Sequence, residues 1–142
     1  MAFENFRYRL ALRADYDGEF AGEIFTWVWS KLARGKARQA AEALHACERA
    51  NRAELAEALR EAGGVAIPNP LLIGPAVAIG IGAALTPLRV HQMVLSTGAA
   101  SKGLRRFYQA KAKRFAPRAD ALYERLTHRH LEAFSAFRVR KV

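Results

Sequence analysis

Residues 62–88 read AGGVAIPNPLLIGPAVAIGIGAALTPL, and none of these 27 residues carries a formal charge. A helix that crosses a bilayer needs about 20 apolar residues, so the length is sufficient. Four prolines, at positions 68, 70, 75 and 87, remove backbone donors and limit this uncharged segment to short helical pieces. Its cleanest helical part, from Pro75 to Leu85, is too short to cross about 30 Å at about 1.5 Å per residue. We therefore expect the segment to dip into a membrane interface or fill a hydrophobic groove, with a true span as the second interpretation.

The net charge of +10 is distributed unevenly around this segment. Residues 1–61 balance ten acids against ten Lys and Arg, whereas residues 62–119 contain eight Lys and Arg and no Asp or Glu. Basic side chains near an anionic leaflet contribute about 1 kcal/mol each, so we expect contacts with anionic lipid. The expected contacts are Arg89, Lys102, Arg105, Arg106, Lys111, Lys113 and Arg114.

Two other interpretations of the basic region remain. A solvated basic face needs no partner at all. Nucleic acid would also attract these charges, but zinc-finger spacing, RNP-type aromatic strings and a helix-turn-helix pattern are missing from the sequence. The sequence therefore argues against a nucleic-acid partner. Its single cysteine, Cys47, rules out an internal disulfide and a Cys-based zinc site, and fits a reducing compartment.

Helical periodicity predicts four helices and no strands in a single domain, residues 1–142. The predicted helices cover about 17–33, 36–62, 87–114 and 117–137, and Asp15 or Asp17 is the expected cap of the first. Short loops outside the uncharged segment favour an antiparallel four-helix bundle. The predicted fold is therefore all-α.

The second helix carries two polar residues in the middle of an apolar stripe. Its inward stripe is predicted to contain Ala40, Leu44, Glu48, Asn51, Leu55 and Leu59. Bundles that hold two metals use a Glu from each of two helices and a Glu-x-x-His pair from each of the other two. Glu48 with Asn51 three residues later resembles such a pair, and the first helix offers Glu19 or Glu23.

At this point the chain resembles a known family. LRADYDGEFAGEIF, residues 12–25, is similar to the first-helix signature of the demethoxyubiquinone hydroxylases, which reads roughly LR-x-DHAGEYGA. These are membrane-bound diiron proteins of ubiquinone biosynthesis, with an apolar Pro/Gly-rich segment between their second and third helices. The resemblance implies a ferritin-like antiparallel bundle with a membrane-contacting apolar insertion at about 62–88. It also implies a peripheral location on the cytoplasmic face of the inner membrane.

The departures from the family pattern concern its metal ligands. By position, the residual metal-site residues are Glu19, Glu48, Asn51, Ser101, Lys102, Arg125 and His128, with Glu23 and His130 as alternatives. At best three of the six ligands that the resemblance implies remain, because Asn51 stands at a histidine position, Arg125 stands at a carboxylate position and the third helix contains no acid. We therefore expect no catalytic residue and no cofactor, and we predict that Glu19 and Glu48 pair with Lys102 or Arg125. The alternative is an active quinol or quinone monooxygenase with two iron ions in an atypical site.

The resemblance implies a non-catalytic or accessory role in ubiquinone biosynthesis. A quinone or another isoprenoid lipid would be held by the bundle groove and the uncharged segment. The expected lining is Leu71, Leu72, Ile73, Val77, Ile79, Ile81, Leu85 and Tyr108. A second copy of the chain or an active paralogue would be the protein partner. A third interpretation is a cationic helical protein that binds membranes or nucleic acid.

Overall fold

The computed structural model describes residues 2–138, and this part of the chain is all-α, without a strand. Six α-helices follow one another: α1 Ala2–Leu32, α2 Gly35–Glu61, α3 Ile73–Leu85, α4 Leu88–Ser96, α5 Ala99–Arg114 and α6 Asp120–Phe134. Single turns of 3₁₀-helix cover Pro70–Leu72 and Ser135–Phe137. The all-α prediction is thus confirmed.

The first two helices form a long hairpin. The connection is short because Gly35 adopts a φ of 58° at the start of α2, a conformation that glycine reaches without strain. Helix α1 begins at Ala2, about 15 residues before the predicted start. The predicted start is wrong because Tyr8, Leu12 and Tyr16 already form a buried stripe upstream of it.

The uncharged segment leaves α2 through a tight helix ending and then runs along α1. Gly63 adopts a φ of 87°, and the Gly64 amide donates to the carbonyl of Leu59 at 2.8 Å, which closes the last turn. The following carbonyls accept from α1: Asn5 Nδ2 donates to Ala62 at 3.1 Å, and Arg13 donates to Val65 at 3.3 Å. The N-terminal half of α1 therefore fixes the start of the segment.

Helix α3 packs directly on α1 through a glycine. A Cβ atom on Gly80 would lie 2.6 Å from the carbonyl oxygen of Phe25 and 2.7 Å from the Cβ of Val28. Within residues 2–138 no single helix is long and apolar enough to cross a membrane. Pro70–Leu85 and Leu88–Ser96, which meet at a bend of 103°, satisfy length and composition only as a pair.

The predicted third helix is two helices. Gly98 separates α4 from α5 with a φ of 80°, a left-handed conformation that ends a right-handed helix. The fourth predicted helix begins at Asp120 instead of Pro117, and its last turn is 3₁₀. With these corrections, α1, α2, α5 and α6 enclose one part of the core, and side chains of α3 and α4 pack against the other part.

Two apolar clusters make up the core, and a polar layer separates them. The first joins α1, α2, α5 and α6 around Leu12, Leu55 and Tyr123. The second joins α1, α2 and the end of α6 around Trp29, Leu44 and Phe137. Between them along the chain lie the buried polar side chains Glu19, Thr26, Glu48, Asn51 and His130. This polar layer contains the candidate site.

Candidate functional site

Three buried side chains from three helices converge in the polar layer. His130 of α6 places Nε2 3.2 Å from Oε1 of Glu48 on α2 and 3.7 Å from Oε1 of Glu19 on α1. One donor atom from each residue lies within 4.8 Å of the other two. The approach needs a small residue beside Glu48, since a Cβ on Gly22 would lie 2.7 Å from its Oε2. A Glu–Glu–His cluster is therefore built into the interior.

A chain of hydrogen bonds fixes the orientation of the His130 ring. Arg129 donates to Oδ1 of Asn51 at 3.1 Å, so the amide nitrogen of Asn51 faces inward. That nitrogen lies 3.0 Å from Nδ1 of His130, 3.3 Å from the carbonyl oxygen of Leu126 and 3.8 Å from Sγ of Cys47. Nδ1 of His130 also lies 3.2 Å from the Leu126 carbonyl, so the network fixes the ring with Nδ1 toward Asn51 and Leu126 and Nε2 toward Glu48.

Glu19 is the proton carrier of the cluster. The hydroxyl of Tyr108 donates to its Oε1 at 2.9 Å, while its buried Oε2 has no hydrogen-bond donor among the described residues. Burial first, and then the carboxylate of Glu48, raise the pKa of Glu19 to about 10. Burial also raises the pKa of Glu48, while the hydrogen bond with Glu19 lowers it, so the two carboxyl groups share the proton that Glu19 keeps at neutral pH.

A second buried polar group lies closer to the first apolar cluster. Asp15 accepts from Tyr123 at 2.8 Å and forms an ion pair with Lys111 of α5. Burial first, and then the charge of Asp15, raise the pKa of Tyr123. Asp15, predicted as a possible helix cap, instead ties α1 to α5 and α6.

The predicted ion pairs of the cluster are wrong. Lys102 is exposed, and Arg125 pairs on the surface with Glu54 of α2 at 3.0 Å. No cation of the described residues forms an ion pair with Glu19 or Glu48 apart from the His130 contacts. The shared proton replaces a compensating Lys or Arg, because burial favours the neutral carboxyl over a second charge.

The other predicted metal-site positions separate into two groups. Asn51 is buried and contacts His130, whereas Ser101 is half-buried on α5 and His128 is exposed on α6. Of the two alternatives, His130 is the histidine that faces the core. Glu23 lies outside the cluster and forms an ion pair with Arg52.

The predicted lipid residues are not gathered around one internal groove. Tyr108 is buried on Glu19, whereas Leu71, Ile73, Ile79, Ile81 and Leu85 are exposed. Leu72 and Val77 are half-buried. Tyr108 belongs to the carboxylate cluster through its hydrogen bond to Glu19, unlike the exposed apolar residues of the predicted lining.

Most of the basic residues predicted to contact lipid are exposed. They are Arg89, Lys102, Arg105, Arg106, Lys113 and Arg114. The predicted lipid contact is wrong for Lys111, because its ammonium group forms an ion pair with the buried Asp15.

The Glu–Glu–His donors fit one metal ion. Donors about 2.1 Å from an ion lie roughly 3 to 4 Å from one another, as the Glu48–His130 and Glu19–His130 pairs do. Binding would release the Glu19 proton and would require the lone pair of His130 Nε2 to face the ion. Two bridged ions need more carboxylates than this layer provides. The arrangement can thus hold a shared proton, or one divalent ion at the expense of that proton.

Sequence reasoning missed Arg129 and Tyr123 as members of these networks. Arg129 follows His128 in the chain and orients the partner of His130, and Tyr123 lies on the inward stripe with Leu122 and Leu126. Its partner Asp15 lies 108 positions away and left no signal in the local pattern.

No protein-family model, curated protein or solved structure matches this chain.

Proposed function

We propose that the protein is a ferritin-like helical bundle that binds peripherally to an anionic lipid surface through its uncharged segment. In this proposal it is a non-catalytic relative of the demethoxyubiquinone hydroxylases, with an accessory role toward a quinone or another isoprenoid lipid. A second copy or an active paralogue is the proposed protein partner. The cytoplasmic face of the inner membrane is the proposed location.

Exposed apolar side chains of the uncharged segment carry this proposal. Leu71 and Leu85 are each 80% exposed, and Ile79 is 58% exposed. Large exposed apolar sets on a soluble surface are unfavourable and mark interaction sites. Because Gly80 fixes one side of α3 on α1, the opposite side must face outward. An isoprenoid or acyl chain would lie on this outer side instead of in a groove.

Charge favours an anionic surface as the contact. The basic residues of α4 and α5, with the exception of Lys111, are exposed, and residues 62–119 contain no acid to repel lipid phosphates. Each exposed cation adds about 1 kcal/mol near an anionic leaflet, and salt screens the attraction. Binding should therefore weaken as ionic strength rises, without vanishing, because the apolar contacts do not depend on salt.

The polar layer supports a non-catalytic role. Glu19 and Glu48 share a proton, and the hydrogen-bond chain from Arg129 through Asn51 holds the His130 ring in place beside them. Iron pairs need bridging carboxylates to balance their charge. In the described residues this layer supplies two, so its role is to hold the helices in register.

Vesicle flotation tests the membrane proposal. We expect the wild type to float with anionic vesicles at low salt and the Leu71→Ser/Leu85→Ser variant to bind at least about tenfold more weakly, since burying each leucine contributes about 1.5–3 kcal/mol. Leu10→Ser/Leu32→Ser removes two exposed leucines from α1 and serves as the matched control. Wild-type protein that stays with the soluble fraction at low salt would refute the proposal.

A second candidate function rests on the same cluster. Because one donor atom each from Glu19, Glu48 and His130 lies within 4.8 Å of the others, a mononuclear metal oxidase is the alternative. Quinol-dependent oxygen consumption by iron-loaded protein, lost in Glu48→Gln, would favour this alternative over the accessory role.

A further inference from the structure

An arginine-lined pocket lies at the end of the bundle, where the start of α1 meets the turn between α5 and α6. Its volume is about 490 Å³, within the range of small-molecule sites. Arg7, Arg114 and Arg118 line it together with Asn5, Tyr8 and Glu4. Three guanidinium groups therefore face one carboxylate, which leaves two positive charges in excess.

Arg118 is held in place before any ligand arrives. Its guanidinium donates to Oδ1 of Asn5 at 2.8 Å and lies over the ring of Tyr8, 4.5 Å from its centroid. Asn5 in turn donates to the carbonyl of Ala62, at the start of the uncharged segment. A guanidinium fixed by an amide and an aromatic ring loses less rotamer freedom when it binds an anion.

The other two arginines have no acidic partner among residues 2–138. Arg7 lies over the ring of Phe3 at 5.8 Å, and Arg114 lies over the ring of Phe115 at 5.5 Å. Arg13, Arg52, Arg125 and Arg129 each form an ion pair with a carboxylate, whereas Arg7 and Arg114 share the pocket with Arg118 instead. The pocket thus brings together three guanidinium groups, two of which form no ion pair with a carboxylate of residues 2–138.

We propose that this arginine pocket binds a phosphate monoester. A phosphate monoester carries up to two negative charges, which matches the excess in the pocket, and its oxygens fit the fork of a guanidinium in bidentate hydrogen bonds. The aromatic rings of Tyr8 and Phe115, 5.2 Å apart, offer an apolar wall for the ester group.

Two kinds of ligand would bring a phosphate monoester to this pocket: a lipid headgroup and a soluble phosphate monoester. Asn5 links the pocket to Ala62, and the exposed Val65 and Ile67 follow within the uncharged segment. A lipid whose headgroup ends in a phosphate monoester could place that phosphate in the pocket while its chains contact the segment. In this lipid form the inference rests on the membrane binding proposed above, whereas binding of a soluble phosphate monoester does not.

Two binding measurements on the full chain test the pocket and separate the two sources. Calorimetric titration with glycerol 3-phosphate probes the soluble source. Co-flotation with phosphatidate vesicles, compared with phosphatidylglycerol vesicles of equal surface charge, probes the lipid source. The test variant is Arg7→Gln/Arg114→Gln. The control is Arg49→Gln/Arg60→Gln, which removes two exposed charges of α2 without touching Arg7, Arg114 or Arg118.

We expect the test variant to weaken glycerol 3-phosphate binding about tenfold and the control to leave it within about twofold, since arginine–phosphate contacts are strong and local. A preference for phosphatidate that the test variant abolishes assigns the pocket to a lipid headgroup. Soluble binding without that preference assigns it to a free phosphate monoester. Equal behaviour of the test variant and the control in both measurements overturns the proposal. Absence of vesicle binding with retained soluble binding refutes the membrane proposal and leaves the pocket intact.

Discussion

Replacement of Glu19 by glutamine is expected to stabilise the folded protein at alkaline pH. Glu19 has a pKa of about 10 in the folded state, because it is buried beside Glu48, against an ordinary value of 4.5. Between these values the unfolded chain releases a proton that the folded chain retains, so the stability of the wild type falls as pH rises. Glutamine mimics the protonated side chain, accepts from Tyr108, donates to Glu48 and has no proton to lose.

Denaturant unfolding at pH 6 and pH 9 measures this effect. The difference in free energy of unfolding between Glu19→Gln and the wild type should grow by about 1 kcal/mol for each pH unit in this range. The upper limit for the release of one proton is about 1.4 kcal/mol per pH unit. Glu57→Gln, on the exposed side of α2, is the control and should follow the wild-type profile. Parallel pH profiles for Glu19→Gln and the wild type would show that Glu19 is ionised in the fold.

Addition of a single methyl group at Gly80 should loosen α3 from the bundle. The new Cβ would meet the carbonyl of Phe25 and the branched side chain of Val28, both part of α1, so neither can yield without a shift of the helix. Overpacking of this kind costs about 1–3 kcal/mol. We expect Gly80→Ala to lower the free energy of unfolding by about 2 kcal/mol and to speed amide exchange in α3.

Gly82→Ala is the matched control, two residues further along the same helix. A Cβ at Gly82 meets no atom within 4 Å, so alanine there should stabilise the helix by about 0.5–1 kcal/mol. Equal effects of the two alanine substitutions would contradict the close packing of α3 on α1. This packing matters for function, because it determines which apolar side chains of the uncharged segment face outward.

Local periodicity predicted α2 and its stripe correctly. All six predicted inward residues, including Glu48 and Asn51, are buried. An amphipathic helix rich in Ala, Leu, Glu and Arg carries its own burial pattern, which does not depend on distant partners. The sequence did not decide between His128, the position given by the family pattern, and His130, and packing of α6 in the bundle buries His130.

The remaining features depend on contacts between distant parts of the chain. Asp15 looked like a helix cap until Lys111, 96 positions later, provided its buried partner. The break at Gly98 depends on one left-handed residue in an otherwise helical pattern. The predicted pairing of Glu19 with Lys102 was wrong, because a proton reduces the negative charge of two buried carboxylates just as a nearby cation would. Such choices between partners are decided by packing across helices, which periodicity does not report.

The iron content of the purified protein tests most directly whether a shared proton, and not a diiron centre, occupies the polar layer. Elemental mass spectrometry of protein expressed in iron-supplemented medium should find well below one iron per chain. The iron content of Glu19→Gln should not be lower than that of the wild type. The reason is that Glu19 and Glu48 are the two carboxylates of this layer, and one of them keeps its proton. About two irons per chain in the wild type, lost in Glu19→Gln, would contradict this description of the site.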